Sequence, residues 1–321
     1  MFFPARFVYP YRRGVARNDN HTSGLDTHRR WVDVAERDVL IVEHDAEVGE
    51  VLRLIFEAAG YNCLLALDGR EGVEVFKAGR PPLVVTDVRT PGMTAIELLQ
   101  QVRTVDDAVA VIVLTDSTVT DFNIAIASLK LGAHDFLRKP VNMEELLVTA
   151  ERALERRQLL VEHREHRRAH GQRQETDRTT LGRADLAQRD VLIVEEEPVL
   201  RDLLQELFLA ARYNCILAGN EREGLKLFRR SRPSLVVTDL KMLMNPRAGL
   251  ELLQQIRQED PDAAVIVESA AADVRSKMVC LKSGADAYLT KPVGMEELLI
   301  AAERAIERRQ LLIERRRRGA A

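Results

Sequence analysis

The chain repeats its own sequence at a constant offset. RDVLIVE begins at Arg37 and again at Arg189, and LVVTD ends at Asp87 and again at Asp239, so that both motifs return after 152 residues (189 − 37 and 239 − 87). A period this long indicates duplicated domains rather than the short units of a solenoid. The length of 321 residues also agrees with about two domains. Each copy must therefore bury its own core and carry its own version of any site.

The composition is typical of a soluble globular protein. Hydrophobic residues make up 46% of the chain, charged residues make up 30%, and the net charge is −3. This charge supplies no overall basic field for nucleic acid, so no nucleic-acid partner is expected. No apolar run approaches the roughly 18 residues of a membrane span. Pro4, Arg6 and Pro10 interrupt the start of the chain, which lacks the continuous apolar region of a secretory signal.

The cysteines favour a reducing compartment. Cys63 and Cys215 hold matched places in YNCLLAL and YNCILAG. Matched positions in two separate cores would rarely meet, so we interpret both as small buried hydrophobic residues rather than as a disulfide. We therefore predict a cytoplasmic location and no contact with a membrane.

Changes in pattern along the chain predict five segments. Residues 1–36 lack sustained periodicity and are expected to form a disordered N-terminal extension. The first domain is predicted at 37–160 and the second at 189–312. A charged helical linker is expected at 161–188 and a basic tail at 313–321.

Within each repeat, strand and helix signals alternate five times. Short β-branched runs such as VLIV and LVV are followed by amphipathic stretches such as VGEVLRLIFEAAG. This alternation predicts right-handed crossovers and a parallel sheet with helices on both faces. Ligands of such sheets bind at the carboxyl ends of the strands.

Charged residues stand at those strand ends in both repeats. Glu43 follows the first strand of one copy, Glu195 and Glu196 follow that of the other, and Asp87 and Asp239 end the third strands. Carboxylates that converge from neighbouring strands repel one another unless a cation lies between them. Oxygen ligands with partial hydration suit Mg²⁺. Hydroxyls and ammonium groups that could hold phosphoryl oxygens follow the fourth and fifth strands at Thr115, Ser269, Lys139 and Lys291.

These motifs resemble the receiver domain of two-component response regulators. The resemblance covers about 37–157 and 189–309, and it rests on the acidic cluster after VLIV, on VVTD, on the later hydroxyl and on GAHDFLRKP with its counterpart GADAYLTKP. It implies two flavodoxin-like, doubly wound (βα)5 domains with strand order 2-1-3-4-5. It also implies two-component phosphorelay signalling, in which an aspartate accepts a phosphoryl group from a histidine kinase or phosphotransfer protein with Mg²⁺ as cofactor. Such domains phosphorylate themselves, and no separate enzymatic output domain is expected.

The resemblance assigns a role to each site residue. Asp87 and Asp239 would be the phosphoacceptors, acting as carboxylate nucleophiles. Phe136 and Tyr288 match the family's switch aromatic, whose alternative interpretation is simple core packing. The metal ligands would be Glu43, Asp87, Glu195, Glu196 and Asp239, and the phosphate-contacting residues would be Thr115, Lys139, Ser269 and Lys291. The Lys-Pro bonds would be cis, which an X–Pro peptide adopts at low cost.

Both copies depart from the family pattern. His44 stands where the family places a metal-binding acid, and imidazole is a poor ligand for Mg²⁺. Asp116 and Thr90 add two further departures in the first copy. In the second copy the segment after Asp239 is about two residues longer than the family pattern, and Glu268 interrupts an apolar strand. We expect Asp239 to be the working phosphoacceptor.

The last helix of each domain extends past the expected core. Apolar positions recur at spacings of three, four and seven, which suits a short coiled coil and predicts a homodimer through these helices. The alternative is a solvated overhang with ion pairs between neighbouring turns. Two other functions remain open: a phosphorylation-independent scaffold of pseudo-receivers, and a truncated transcription regulator that acts through the four arginines of 315–318.

Overall fold

The computed structural model describes residues 37–116, 119–169, 189–242, 245–270 and 273–319. The predicted extension at 1–36 and most of the predicted linker lie outside these residues. Residues 161–169, which the sequence placed at the start of the linker, continue a helix.

The first repeat alternates strands with helices, as the periodicity predicts. Its strands are β1 (Asp38–Val42), β2 (Asn62–Ala66), β3 (Leu83–Asp87), β6 (Ala110–Thr115) and β7 (Asp135–Arg138), and a small antiparallel pair, β4 (Arg89–Thr90) and β5 (Met93–Thr94), follows β3. Its helices are α1 (Ala46–Ala58), α2 (Gly69–Gly79), α3 (Ala95–Val105), α4 (Val119–Lys130) and α5 (Met143–Ala169).

The second repeat reproduces this order. Its strands are β8 (Asp190–Val194), β9 (Asn214–Ala218), β10 (Leu235–Asp239), β11 (Ala264–Ser269) and β12 (Ala287–Thr290). Its helices are α6 (Pro198–Ala210), α7 (Glu221–Ser231), α8 (Ala248–Glu259), α9 (Val274–Lys282) and α10 (Met295–Gly319).

Each repeat forms a five-stranded parallel sheet. The strand orders are β2-β1-β3-β6-β7 and β9-β8-β10-β11-β12, so both sheets have the predicted order 2-1-3-4-5. In the first sheet β1 lies between β2 and β3, with Val42 level with Ala66 on one side and with Thr86 on the other. This order makes the space beyond β1 and β3 a switch point, where helices leave to opposite faces and a ligand can enter. The fold class predicted from the sequence is confirmed.

The core of each sheet is divided between its two faces. Strands such as β1 and β3 are buried along almost their whole length, as expected for a parallel sheet with helices on both sides. The duplication extends to aromatic packing, because Phe56 meets Tyr61 edge to face at 5.3 Å and Phe208 meets Tyr213 in the same way. Each repeat therefore has its own hydrophobic core, as its self-sufficient pattern predicts.

The two repeats also pack against each other, and their described residues belong to one compact unit. The contact uses the same surface of both copies, which we call the paired face: α4 and α5 of the first repeat, and α9 and α10 of the second. Val148 of α5 packs against a core cluster of the second repeat. The sequence repeat thus becomes an approximate two-fold arrangement within one chain.

Contacts across the paired face are reciprocal at the 152-residue offset. Arg152 donates to the backbone carbonyls of Ala285 and Asp286, and its counterpart Arg304 donates to those of Ala133 and His134. Four ion pairs repeat the same exchange: Arg156–Glu307 with Arg308–Glu155, and Lys130–Glu296 with Lys282–Glu144. Each contact therefore has its counterpart at the 152-residue offset, which is what an approximate two-fold axis between the receivers produces.

Candidate functional site

Three side chains meet at the carboxyl end of the first sheet. Glu43 follows β1 and Asp87 ends β3, and both are buried. Lys139, which follows β7, places its Nζ 2.8 Å from Glu43 Oε2 and 3.0 Å from Asp87 Oδ2. The lysine therefore balances part of the negative charge that these adjacent strand ends bring together. The Lys139-Pro140 and Lys291-Pro292 bonds are cis, as predicted.

His44 also reaches this cluster. Its Nδ1 lies 3.1 Å from Glu43 Oε1 and 3.3 Å from Asp87 Oδ2, while half of its side chain stays exposed. The next residue, Asp45, points elsewhere and caps α1 by accepting hydrogen bonds from the amides of Glu47 and Val48 at 2.9 and 3.2 Å. Of the three polar residues after β1, two thus belong to the site and one to the helix.

The second repeat builds the same arrangement. Lys291 Nζ lies 2.7 Å from Glu195 Oε2 and 3.2 Å from Asp239 Oδ2. The Asp239 side chain is 18% exposed, compared with 3% for Asp87, so the second aspartate is easier for a large substrate to reach. Glu196, the counterpart of His44, is partly buried.

Glu268 adds a third buried carboxyl to the second site. It is level with Asp239 in the pairing of β10 with β11, and its Oε1 is buried without a hydrogen-bond partner. Burial raises the pKa of Glu268 to about 7, because the attraction of Lys291 is outweighed by desolvation and by the neighbouring carboxylates. The sequence marks this residue only as an interruption of an apolar strand. Its role in the charge of the site depends on burial that the sequence does not reveal.

Burial also affects both candidate phosphoacceptors. It raises the pKa of Asp87 against the attraction of Lys139, and it raises the pKa of Asp239 against the attraction of Lys291. In the first site, Oδ1 of Asp87 is buried without a hydrogen-bond partner. Buried carboxylate oxygens are normally satisfied, so the first site contains an oxygen to which a cation could bind.

Comparison with known proteins identifies the repeats. The sequence model of the response regulator receiver domain family matches residues 39–151 and 191–303, which together make up more than half of the chain. The chain belongs to the response regulator receiver family. It is a tandem pair of receivers of the kind used in two-component signalling, as the sequence motifs predicted.

Curated relatives resemble one receiver or part of the pair. The C4-dicarboxylate transport transcriptional regulatory protein DctD of Pseudomonas aeruginosa is 34% identical over 155 residues, which cover 48% of this chain and 33% of DctD. The response regulator MprA of Mycolicibacterium vanbaalenii is 40% identical over 121 residues, covering 37% of this chain and 50% of MprA. The chain therefore spans about a third to a half of the length of these relatives.

One solved structure illustrates how the lengths compare. The response regulator receiver domain protein from Clostridium thermocellum aligns with a TM-score of 0.37 and 27% identity, covering 38% of this chain and 98% of that chain.

In the part of the chain that the structure describes, no helix is long and apolar enough to cross a membrane.

The hydroxyls and rings predicted to form the receiver switch are buried or partly buried. Thr115 and Ser269 end β6 and β11 and are fully buried. Tyr288 is buried in the core, and burial raises its pKa although a hydrogen bond to Ser269 opposes the shift. Phe136 has no hydroxyl and packs, partly buried, against the core of the first receiver. The two rings predicted as switch aromatics therefore differ, since Tyr288 bonds to its hydroxyl partner Ser269 and Phe136 packs as a hydrophobic ring.

The donor sets of the two receivers favour different ions. Glu195, Glu196 and Asp239 offer carboxylate oxygens, which fit Mg²⁺. In the first receiver the ligand atoms of Glu43, His44 and Asp87 all lie within 4.8 Å of one another. Among the described residues, this is the one group of three histidine, cysteine or acidic side chains whose ligand atoms lie this close together. One of these three atoms is an imidazole nitrogen, so the first donor set does not fit Mg²⁺ well.

Proposed function

We propose that this chain is a tandem-receiver response regulator in which Asp239 accepts a phosphoryl group from a histidine kinase or a phosphotransfer protein. The observation that carries the proposal is the contact of Lys291 with both Glu195 and Asp239, at 2.7 and 3.2 Å. This contact supports the proposal because it brings two carboxylates, one of which could act as the nucleophile, and an ammonium group together at the carboxyl end of one sheet.

The proposed chemistry is an in-line transfer. A carboxylate oxygen of Asp239 attacks the phosphorus of a phosphohistidine, and the new O–P bond forms as the N–P bond breaks. The electron pair of the broken bond stays on the imidazole nitrogen of the donor. Catalysis then consists mainly of positioning and charge neutralisation. Lys291 would bind one phosphoryl oxygen, and Ser269 would donate a hydrogen bond to another.

Glu195, Glu196 and Asp239 would hold Mg²⁺ in this receiver. When bound, the ion would supply positive charge opposite the phosphoryl oxygens. Glu195 already lies close to Lys291, so the lysine keeps this carboxylate in place before a cation arrives. The partial exposure of Asp239 supports it as the working acceptor, as the sequence predicts.

Asp87 has a different environment, which supports a pseudo-receiver role for the first half. His44 contacts both Glu43 and Asp87, and Phe136 cannot form the hydroxyl contact that Tyr288 makes. The predicted scaffold function therefore applies to the first receiver better than to the second. In this proposal Asp239 is the acceptor, and Asp87 does not take up a phosphoryl group.

The proposed output is a protein contact controlled by the paired face. The terminal helices α5 and α10 contact each other within the chain, and parts of their apolar stripes, such as Ala150 and Ala302, pack into their own cores. The predicted homodimer through these helices stays a prediction, and it would require exchange of receivers between two chains or another surface.

The cytoplasmic location and the lack of a nucleic-acid partner also stay predictions. DctD is named as a transcriptional regulator, which keeps the truncated-regulator alternative open.

Intact mass spectrometry after incubation with acetyl phosphate and Mg²⁺ tests the proposal. We expect the full-length protein to gain the mass of one phosphoryl group and Asp87→Asn to keep this gain. Asp239→Asn should lose it. Asp262→Asn is a matched control, since Asp262 is a buried aspartate of the same receiver that pairs with Arg316, and it should behave as wild type. A mass gain that persists in Asp239→Asn would overturn the assignment.

A further inference from the structure

The two receiver sites differ at one ligand-bearing position. The first has His44 where the second has Glu196. In the first site His44 Nδ1 lies 3.1 Å from Glu43 Oε1 and 3.3 Å from Asp87 Oδ2. Two ligands of a tetrahedral ion lie about 3.3 Å apart when each bond is about 2.0–2.1 Å long, as in zinc sites. The nitrogen is therefore spaced from both oxygens as the ligands of one small ion are spaced.

A second, independent observation concerns the other oxygen of Asp87. Oδ1 of Asp87 is buried and has no hydrogen-bond partner, and the side chain is 3% exposed. An unsatisfied oxygen of an ionised buried carboxylate is costly. Lys139 contacts Oδ2 of Asp87 and Oε2 of Glu43. Asp87 Oδ1 and Glu43 Oε1 therefore lie outside the contacts of the lysine.

The chemistry of this donor set selects the class of ion. Imidazole nitrogen binds zinc, copper, iron and nickel, whereas Mg²⁺ prefers oxygen ligands in near-octahedral geometry. Two carboxylates and one histidine also leave room for a water at a fourth position, as in zinc sites with three protein ligands. His44 is half exposed, which gives such an ion and its water a route to solvent.

We propose that Glu43, His44 and Asp87 form a site for a transition-metal ion such as Zn²⁺ in preference to Mg²⁺. The two receivers of one chain then take different cations from the same solution. This inference deepens the proposed function, and it rests on that function only in treating the strand-end cluster as a cation site. Metal at this position would hold Asp87 and His44 together. The fraction of first receivers that carry a metal would then depend on the concentration of free transition-metal ions.

Metal binding without a phosphoryl donor tests the inference. The full-length protein is titrated with Zn²⁺ by calorimetry and with Co²⁺ by visible absorption, whose bands report nitrogen ligation and coordination number. His44→Ala and His44→Asp are compared with wild type. Because half of the His44 side chain is exposed, both variants should fold, and circular dichroism checks this. Glu196→His is the converse variant in the second receiver.

We expect His44→Ala to weaken the tightest Zn²⁺ binding by at least about tenfold and to remove the corresponding Co²⁺ bands. His44→Asp should lower Zn²⁺ affinity and raise Mg²⁺ affinity, while Glu196→His should add a second Zn²⁺ site. Zn²⁺ affinity and Co²⁺ spectra that do not change in His44→Ala would overturn the inference. Phosphorylation of Asp239 is measured separately, so a failure of the proposed phosphotransfer leaves this result interpretable.

Discussion

Arg304 should contribute strongly to the docking of the two receivers. This arginine of α10 donates to the carbonyl of Leu129 at 2.6 Å and also to those of Ala133 and His134. The three carbonyls belong to the other receiver. Burial lowers the pKa of Arg304 to about 10, so the side chain remains charged at neutral pH and gives up part of its hydration in order to make these bonds.

The expected loss of docking free energy in Arg304→Ala follows from the number of hydrogen bonds that Arg304 makes. A hydrogen bond from a charged group contributes roughly 1.5–3 kcal/mol. Three bonds do not add fully, because Arg304→Ala would let water reach the freed carbonyls through the cavity that Leu129, His134 and Arg304 line. We therefore expect a loss of about 2–4 kcal/mol in docking free energy. This loss corresponds to a dissociation constant that is about 30 to 1000 times larger.

The assay measures that dissociation constant directly. A protease site placed within 170–188 allows the chain to be cut, and analytical ultracentrifugation then follows the two halves. Arg152→Ala should have a similar effect, since Arg152 makes the reciprocal contacts with Ala285 and Asp286. Arg316→Ala is the control, because Arg316 lies on the same helix but pairs with Asp262 of its own receiver. If Arg304→Ala changes the dissociation constant no more than Arg316→Ala does, the paired face is not held by these hydrogen bonds.

Two further substitutions test the second receiver. Glu268→Leu should raise the free energy of unfolding by about 3 kcal/mol at pH 8 and by less than about 1 kcal/mol at pH 5. The sign follows from the raised pKa of about 7: between pH 4.5 and 7 the folded protein keeps a proton that the unfolded chain releases, so the penalty for Glu268 grows as pH rises. Urea titrations that give the same gain at both pH values would contradict this reasoning. Gly249→Ala should lower stability by at least about 2 kcal/mol, because an added Cβ would lie 2.2 Å from the Asp239 carbonyl oxygen. Gly319→Ala has no atom within 4 Å of its Cβ and should be neutral when the two variants are compared by thermal unfolding.

Local patterns in the sequence were sufficient to predict the architecture. The 152-residue offset required two domains, β-branched runs alternating with amphipathic stretches predicted two parallel sheets, and the resemblance to receiver domains implied their strand order 2-1-3-4-5. Strand ends of a parallel sheet meet at one edge, so the positions of Glu43, Asp87 and Lys139 after their strands already predicted a common site. These inferences succeed because periodicity and strand ends are properties of short segments.

Side-chain direction set the details of the site. The sequence identified His44 as a departure from the family, but only the fold brings its Nδ1 within 3.3 Å of both carboxylates. Asp45 stands next to it in the chain and caps a helix instead. Glu268 could be recognised as a misplaced charge, whereas its raised pKa depends on burial beside Asp239 and Glu195.

The sequence by itself determined two similar domains, their fold and the strand ends that carry their sites. Only the tertiary structure decided how the domains meet. Arg152 and Arg304 look like ordinary solvated charges on amphipathic helices, and their partners are backbone carbonyls about 130 to 175 residues away. Backbone carbonyls are common to every residue, so no pattern of side chains marks them as partners. The pairing depends instead on the shapes of two folded surfaces, which exist only after each core has formed.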